Sequence, residues 1–231
     1  MSIFGTIATA SGGGAPGSGI TAVAGSLNVS TGDLLVAVAV GSNGIGTTCS
    51  FSDTIGNTFT VIGSPSVSSN ANSAGSIFIG YCLASSGTNA TNVITATFGA
   101  NQVSFRWIFV WKVPLSGSAI FDVSNLKVSS SSGNAPTSGS FTTTGSDELV
   151  LVAAGNDFTG ITYTQGTGYT LDSSGFVNKV GGAQHRLFSS AQSGITAAFS
   201  QSSSTDWNIA VVAFKANAAA ASGSVQVILM F

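Results

Sequence analysis

The sequence predicts an all-β protein with antiparallel strands, built from two similar halves of about five strands each. Three observations support this prediction. Short apolar or alternating segments, bounded by glycine, aspartate or asparagine, recur along the chain. Their order in the first half returns in the second at an offset of about 100–115 residues, too long for a solenoid or propeller repeat. No segment keeps helical apolar spacing over about 11 residues.

The first half begins with a continuous apolar run at residues 32–41, GDLLVAVAVG. A run without alternation is typical of a strand that is buried on both faces. Within the next segments, TFTVIG and VITATF alternate, so one face of each strand should be buried. The turn sequence DTIGNTF between β-branched residues predicts a hairpin. The remaining predicted segments of this half are 51–63, 76–87, 93–99 and 103–117.

The second half repeats these segments in the same order. Its apolar run, SDELVLVAAGND, is followed by a glycine-punctuated hairpin signal, TQGTGYT. The matching segments are 146–157, 161–175, 183–194, 195–200 and 206–216. We therefore divide the chain into a flexible or assembly arm (1–24), a first β half (25–126), a Ser/Gly-rich connection (127–145), a second β half (146–216), and a linker with a C-terminal assembly strand (217–231).

The composition is unusually poor in charge. Charged residues make up 6% of the 231 residues, whereas ordinary soluble domains have roughly 25%. The net charge is -2 and the six basic residues are scattered, which argues against a nucleic-acid partner. There is no apolar run of about 18 residues, so we expect no membrane insertion by a helix. The N-terminus lacks the basic and apolar regions of a secretory signal peptide, so we expect synthesis without one.

The ionisable residues do not form a recognisable catalytic set. His185 is the single histidine, and a lone histidine beside an arginine is more often structural than catalytic. Asp147 and Glu148 are adjacent on a predicted strand, so they point to opposite faces and cannot act as a glycosidase pair. Asp33 and Asp147 each precede an apolar run, which is typical of turn residues. We therefore predict no enzyme, no cofactor and no metal site of zinc type.

Calcium and a disulfide remain open alternatives. A turn at Asp53–Asn57 or at Asn156–Asp157 carries oxygen ligands, but neither has the spacing of a calcium loop. Cys49 and Cys82 each lie in a predicted strand, and the strands could be neighbours. They are candidates either for a disulfide or for two buried thiols.

The aromatic residues allow a core or a sugar-stacking interpretation. With a period of two, Phe105, Trp107, Phe109 and Trp111 share one strand face. Trp207, Ile209, Val211 and Ala213 stand at what the repeat indicates are corresponding positions, and this apolar match favours the core. Phe158, Tyr163 and Tyr169 lie in predicted loops and are the candidate glycan contacts.

The two termini differ from the repeated halves and predict self-assembly. An unpaired strand as apolar as SVQVILMF aggregates unless it pairs with its own sheet or with a neighbouring subunit. The predicted assembly residues are Ile3, Phe4, Val225, Val227, Ile228, Leu229, Met230 and Phe231.

Over residues 25–216 the chain resembles jelly-roll β-sandwich proteins of tailed-phage virions and of bacterial surfaces. The resemblance lies in GDLLVAVAVG, SDTIGNTFT, FVWKVPLSG, ELVLVAAGND and AVVAFKA. It implies a jelly-roll-like antiparallel sandwich located on a virion or extracellular surface. It also implies a homo-oligomer or lattice in contact with other virion or surface proteins. The predicted function is a structural, self-assembling capsid decoration, fibre or tail component; the alternative is a lectin-like, carbohydrate-binding module for attachment.

Overall fold

The computed structural model describes residues 2–13, 19–41, 48–67, 76–87, 90–102, 106–128, 133–156, 160–176 and 181–217. All regular secondary structure in these ranges is β-strand, which confirms the all-β prediction. In this part of the chain no helix is long and apolar enough to cross a membrane. The strands are β1 (Ala8–Gly13), β2 (Gly19–Ala24), β3 (Leu27–Val29), β4 (Leu34–Gly41), β5 (Cys49–Asp53), β6 (Thr60–Val67), β7 (Ser76–Leu83), β8 (Ala90–Asn92), β9 (Ile94–Gln102), β10 (Arg106–Val113), β11 (Ala119–Val128), β12 (Glu148–Gly155), β13 (Tyr163–Gln165), β14 (Thr170–Phe176), β15 (Gly181–Phe188), β16 (Phe199–Gln201) and β17 (Asn208–Ala216).

The strands form two main sheets in which the paired strands are antiparallel. The eight-stranded sheet has the order β5-β9-β2-β1-β10-β4-β7-β6, and the five-stranded sheet has the order β11-β17-β12-β15-β14. Two short ladders, β3-β8 and β13-β16, complete the described pairing. The edge strands β5 and β6 of the larger sheet approach each other, so this sheet nearly closes on itself.

The buried apolar side chains form three hydrophobic cores. The first lies inside the nearly closed sheet, the second between the two sheets, and the third on the outer side of the five-stranded sheet. Strand β4 sends Leu34 and Val36 into the core between the sheets and Leu35 and Ala37 into the closed sheet. Strand β12 is likewise buried along its whole length. Burial on both faces explains why these two segments are continuous apolar runs rather than alternating ones.

The two sheets meet by packing large side chains against small ones. From β10, Trp107, Phe109 and Trp111 all point into the core between the sheets, which confirms their prediction as core. The five-stranded sheet contributes small residues there: Ala153, Gly155, Ala183 and Ala210. At Gly155 a Cβ atom would lie 2.1 Å from the ring of Trp107, so only glycine leaves room for that ring.

The order of strands repeats between the sheets. Across the sheets, the run of neighbouring strands β1-β10-β4-β7-β6 in the larger sheet corresponds to β11-β17-β12-β15-β14 in the smaller one. One predicted correspondence is wrong: Trp207 and Ile209 face the outer core, whereas Trp107 faces the core between the sheets. The inner row of β17 is Ala210, Val212 and Phe214. A slip of one residue in a strand exchanges its faces, and the sequence repeat alone does not fix that register.

The structure also differs from the predicted regions. In place of a flexible arm at 1–24, β1 and β2 pair within the eight-stranded sheet. The predicted connection at 127–145 carries isolated bridges to the second half, at Gly133, Thr137 and Phe141, and Phe141 is buried in the outer core. Strand β11 belongs to the five-stranded sheet, although the prediction placed most of it in the first half. Both halves hold more than five strands because the prediction omitted β1, β2, β11 and the short ladders.

Candidate functional site

Most acidic side chains are engaged in holding the fold together. Asp33 accepts a hydrogen bond from the backbone N–H of Ser30 at 2.9 Å and lies 3.8 Å from Lys112, so it closes the turn before β4 as predicted. The hydrogen bond and the nearby positive charge compensate the free-energy cost of burying this carboxylate.

Asp53 is the centre of a second network. Its carboxylate accepts hydrogen bonds from the backbone N–H of Asn57 (2.8 Å), the amide of Asn57 (2.7 Å) and the amide of Asn92 (2.9 Å). Calcium needs several free oxygen ligands, and here nitrogen donors occupy both oxygens. Within the described ranges, there is no group of three side chains that could hold a metal ion. The turn at Asp53–Asn57 is therefore a hydrogen-bonded turn rather than a calcium loop.

Asp147 fixes the N-terminal segment, residues 2–7, to the second half. Its carboxylate accepts a hydrogen bond from the backbone N–H of Ile3 at 2.8 Å. Next to it, Phe4 forms a bridge with Leu115 and is 6% exposed in the core between the sheets. The prediction of Ile3 and Phe4 as assembly contacts is thus corrected, since Phe4 is buried within its own chain and Ile3 is anchored there. The other predicted assembly residues, in 225–231, lie outside the described residues.

A buried hydrogen-bond relay connects the two halves. Trp111 on β10 donates from Nε1 to Asp172 Oδ2 at 2.8 Å, and Asp172 Oδ1 lies 2.7 Å from Nδ1 of His185 on β15. A carboxylate only accepts, so we assign the proton between them to Nδ1, which leaves Nε2 of His185 for a ligand or solvent. Both carboxylate oxygens are thereby held, and the imidazole is oriented.

A β-bulge places Asp172 in this relay. The pairing of β14 with β15 shifts register between Leu171 and Ser173, so Asp172 is the extra residue. Bulges redirect side chains, and this one allows Leu171 to pack on the outer core while Asp172 reaches Trp111 on the inner side. Sequence analysis assigned Asp172 only to a strand end, because the relay joins residues 61 positions apart.

His185 lines an open groove at one end of the molecule. Two adjoining cavities of about 470 and 560 Å³ share Leu187 as a wall. The N-terminal segment, residues 2–7, forms one side of both cavities, and residues 185–189 form much of the other. Asp147 lines the outer cavity. We name this feature, between residues 2–7 and 185–189, the end groove.

Among the described residues, the hydrogen bond shown for the His185 side chain is the one with Asp172. A base of this type activates a hydroxyl or thiol within hydrogen-bond reach. Thr6 lines the same cavity as His185, but no hydrogen bond joins the two side chains in the described part of the chain. The arrangement can orient an imidazole at a groove wall and tie the halves together.

We expect Asp172→Asn to lower the free energy of unfolding by about 1–2 kcal/mol. An asparagine amide has one acceptor oxygen, so it cannot accept from both Trp111 and His185. Urea unfolding followed by fluorescence would measure the change. The double variant with Trp111→Phe should lose less than the sum of the two single losses, because both remove the same bond. Additive losses would show that the relay is not a coupled unit.

A second ionisable cluster lies at the edge of the five-stranded sheet. Lys215 Nζ is 2.9 Å from Asp122 Oδ1, and Thr144 donates to the Asp122 carboxylate from its backbone N–H at 2.8 Å. Burial by itself would raise the pKa of Asp122, but the hydrogen bonds from Thr144 and the charge of Lys215 lower it below its usual value. Glu148, on β12, is paired with Lys215 on β17 and accepts a hydrogen bond from the backbone N–H of Gly145.

Glu148 is the buried acid of this cluster. The residue is 0% exposed, and its Oε2 atom has no hydrogen-bond partner among the described residues. Burial, followed by the nearby charge of Asp122, raises the pKa of Glu148 above its usual value. One acid with a raised pKa beside one with a lowered pKa is a pattern found in catalytic pairs. Here both carboxylates are buried, so the cluster acts on stability.

The candidate glycan contacts are core residues. Tyr163 is 2% exposed, and its hydroxyl accepts a hydrogen bond from the amide of Asn156 at 2.6 Å. Burial raises the pKa of Tyr169 to about 12, and Arg186 lies 5.9 Å from the centre of its ring. A sugar stacks on an exposed ring face, which neither tyrosine offers. Phe158 lies outside the described residues.

Cys49 and Cys82 are free thiols. They lie on β5 and β7, which are not adjacent in the sheet, so the strands are not the neighbours that the sequence suggested. Burial raises the pKa of each thiol to about 12. For Cys82 the charge of Asp53 adds to this shift. Cys49 and Cys82 therefore do not form a disulfide bond in the structure.

Native protein should react slowly with a thiol-specific disulfide reagent at about pH 8, because the thiolate is the reactive form. The raised pKa values keep both sulfurs protonated there, and burial limits access. The same reagent in concentrated urea, without reductant, should react quickly with two thiols per chain. Rapid reaction of the native protein would contradict the burial, and no reaction in urea would indicate a disulfide.

No protein-family model, curated protein or solved structure matches this chain. The function must therefore be inferred from the chain's own residues and their contacts.

Proposed function

We propose that the protein is a structural, self-assembling subunit of a virion or an extracellular filament, without catalysis. The observation that carries the proposal is the use of the acidic side chains. Six of the chain's eight carboxylates close turns, tie segments together or lie buried in internal hydrogen bonds: Asp33, Asp53, Asp122, Asp147, Glu148 and Asp172. Side chains used in this way stabilise a scaffold rather than serve a substrate.

We further propose that each half is a jelly roll. A jelly roll is a long hairpin wound into two sheets, so its strand pairs nest within one another. In the first half β1 pairs with β10, β2 with β9, β3 with β8 and β4 with β7. In the second half β11 pairs with β17 and β12 with β15, and bridges join residues 133–141 to 195–205. This nesting supports a double jelly roll with its halves packed sheet to sheet.

The composition favours contacts between copies. Charged side chains must lose their hydration when two surfaces meet, and this cost can exceed the Coulombic gain. With 6% charged residues, the surface carries little of that cost. The C-terminal residues 224–231, SVQVILMF, supply an apolar strand of the kind that adds to a sheet or groove of another chain.

Deleting residues 222–231 should abolish assembly while leaving the unfolding midpoint of the remaining chain unchanged. Sedimentation velocity and negative-stain microscopy would measure the loss of rings, fibres or lattices. A matched pair separates apolar contact from added charge: V227D/L229D should lose assembly, whereas S222D/S224D in the same tail should keep most of it. Normal assembly by the truncated chain would refute this mechanism.

Neither Tyr163 nor Tyr169 has an exposed ring on which a sugar could stack, so we do not propose a glycan-binding module.

A further inference from the structure

Asn217, which lies at the mouth of the end groove, is the residue after which the C-terminal tail, residues 218–231, follows in the sequence. The backbone N–H of Ala216 donates to the carbonyl of Asp147 at 2.9 Å, and that of Asn217 donates to the carbonyl of Ser118 at 2.8 Å. Asp147 also lines the outer cavity of the groove. The last described residue of the chain is therefore anchored at the end of the molecule where the groove opens.

The strand directions at this end bear on which copy the tail can reach. Strand β17 finishes here, beside the start of β12 and the end of β15, because Lys215 pairs with Glu148 and Glu148 pairs with Phe188. The groove runs back into the molecule from the level of Ser189 to that of His185. A tail that continues in the direction of β17 moves away from its own groove. It can enter the groove of a copy that faces it end to end without reversing.

The walls of the end groove combine apolar side chains with small polar ones, and Asp147 and His185 are the ionisable residues among them. Leu187 is 46% exposed and stands on the strand face that also carries Ala183, which is buried in the core between the sheets. Phe4 and Ile7 line the opposite side. The two ionisable groups of the groove already have partners, since Asp147 holds the backbone of Ile3 and His185 is paired with Asp172.

The tail matches this surface in chemistry and length. It contains no ionisable side chain, and in an extended strand Val225, Val227, Leu229 and Phe231 fall on one face. Residues 218–223, AAAASG, span up to about 20 Å when extended, which leaves the apolar strand free to reach a neighbouring molecule. Each cavity lies within the usual range of about 300–1,000 Å³ for ligand sites.

We propose that the end groove binds the C-terminal tail of a second copy of this chain. The inference rests on the proposed function, because it names the acceptor site for the tail in self-assembly. When two copies meet end to end about a twofold axis, each tail enters the partner's groove and the pair is closed, so this dimer is the unit that further contacts join into a filament or lattice. Assembly then requires both an intact groove and an intact tail, but not on the same molecule.

A complementation experiment tests this directly. Leu187→Asp blocks the groove at an exposed position and keeps the tail, whereas deletion of 218–231 removes the tail and keeps the groove. Ile20→Asp on β2 is the matched control, because Ile20 is 45% exposed and lies outside the lining of the groove. Sedimentation velocity should show that each blocked protein alone is monomeric, that Ile20→Asp assembles like the parent, and that an equimolar mixture of the two blocked proteins forms a mixed dimer.

The outcomes separate the two proposals. If Leu187→Asp assembles normally while tail deletion does not, the groove proposal fails and assembly through the tail stands. If tail deletion has no effect, the proposed assembly mechanism itself fails. If both proteins are monomeric and their mixture stays monomeric, the groove of one copy does not bind the tail of another, and the groove proposal fails.

A labelled peptide with the sequence of residues 222–231 provides a second measurement that does not depend on oligomer size. It should bind the tail-deleted protein saturably, and Leu187→Asp in that protein should weaken binding by about tenfold or more. Leu187→Ser repeats the test with a smaller change, and the unfolding midpoint of each variant confirms that it is folded. Equal binding by the blocked and unblocked proteins would overturn the proposal.

Discussion

Replacing Trp107 with alanine is expected to lower the free energy of unfolding by about 3–5 kcal/mol. Trp107 is fully buried between the two sheets. Its ring lies against Gly155 of the opposite sheet so closely that a Cβ atom there would be 2.1 Å away. Truncation removes a fully buried ring from the core between the sheets and leaves a cavity that the strands on both sides cannot close. Urea unfolding of the purified variant measures the loss.

Two further variants test whether the cost arises from this contact. Ile120→Ala, at a position that is 42% exposed, should change stability by less than about 1 kcal/mol. Gly155→Val should destabilise the parent protein, because the added side chain collides with Trp107. In the Trp107→Ala background the same valine fills part of the cavity and should restore part of the loss. A purely additive result would contradict direct packing of these two residues.

The strands and cores were predictable because they depend on local pattern. The continuous apolar runs at β4 and β12 require burial on two faces, and the structure supplies a core on each side of both strands. Alternation at β9 likewise agrees with one face turned into the closed sheet. These inferences need only the pleat period of a strand and the free energy of burying apolar area.

Register and partners were less predictable. The repeat suggested Trp207 as the counterpart of Trp107, yet the two rings face different cores. An apolar residue on either face of a strand buried on both sides fits the pattern equally well, so the pattern cannot choose the face. The prediction for Phe4 failed for a related reason. An apolar residue near a terminus gives the same sequence pattern whether it packs on its own chain or on another.

For the candidate site, the sequence allowed predictions about single residues but not about the contacts that join them. Asp33 was assigned to a turn from its neighbours, and its hydrogen bond with Ser30 agrees, whereas the hydrogen bond of Asp147 with Ile3 joins two distant segments. The relay through Asp172 was not predictable, because it joins three strands and depends on a bulge that no local signal marks. Glu148 was judged only against its neighbour Asp147. The acid that it faces is Asp122, brought near by the bulged pairing of β11 with β17.

Glu148→Gln is expected to raise the free energy of unfolding at neutral pH by about 1 kcal/mol. Glu148 is 0% exposed, and one carboxylate oxygen has no hydrogen-bond partner among the described residues. The uncharged amide still offers an oxygen to the backbone N–H of Gly145, and it removes the repulsion from Asp122. The gain comes from no longer having to bury a charge next to another of the same sign.

The pH dependence distinguishes this cause from a simple change in packing. Burial raises the pKa of Glu148 above its usual value of about 4.3, so the fold binds a proton that the unfolded chain releases. The stabilising contribution of that proton is complete below about pH 4 and is lost as the pH rises through the folded pKa. Parent and Glu148→Gln proteins should therefore have similar stability near pH 4 and diverge as the pH approaches 7.

Asp122→Asn is the matched variant of opposite sign. The pKa of Asp122 is lowered by Thr144 and Lys215, so its stabilising contribution is present at neutral pH and is lost only as the pH falls through that lowered pKa. Asp122→Asn should therefore destabilise the protein at pH 7, whereas Glu148→Gln should stabilise it at the same pH. Urea unfolding at several pH values measures both. A Glu148→Gln protein that is less stable than the parent at every pH would mean that the carboxylate is a favourable partner of Gly145 and Lys215, and the inference that the fold opposes ionisation of Glu148 would be wrong.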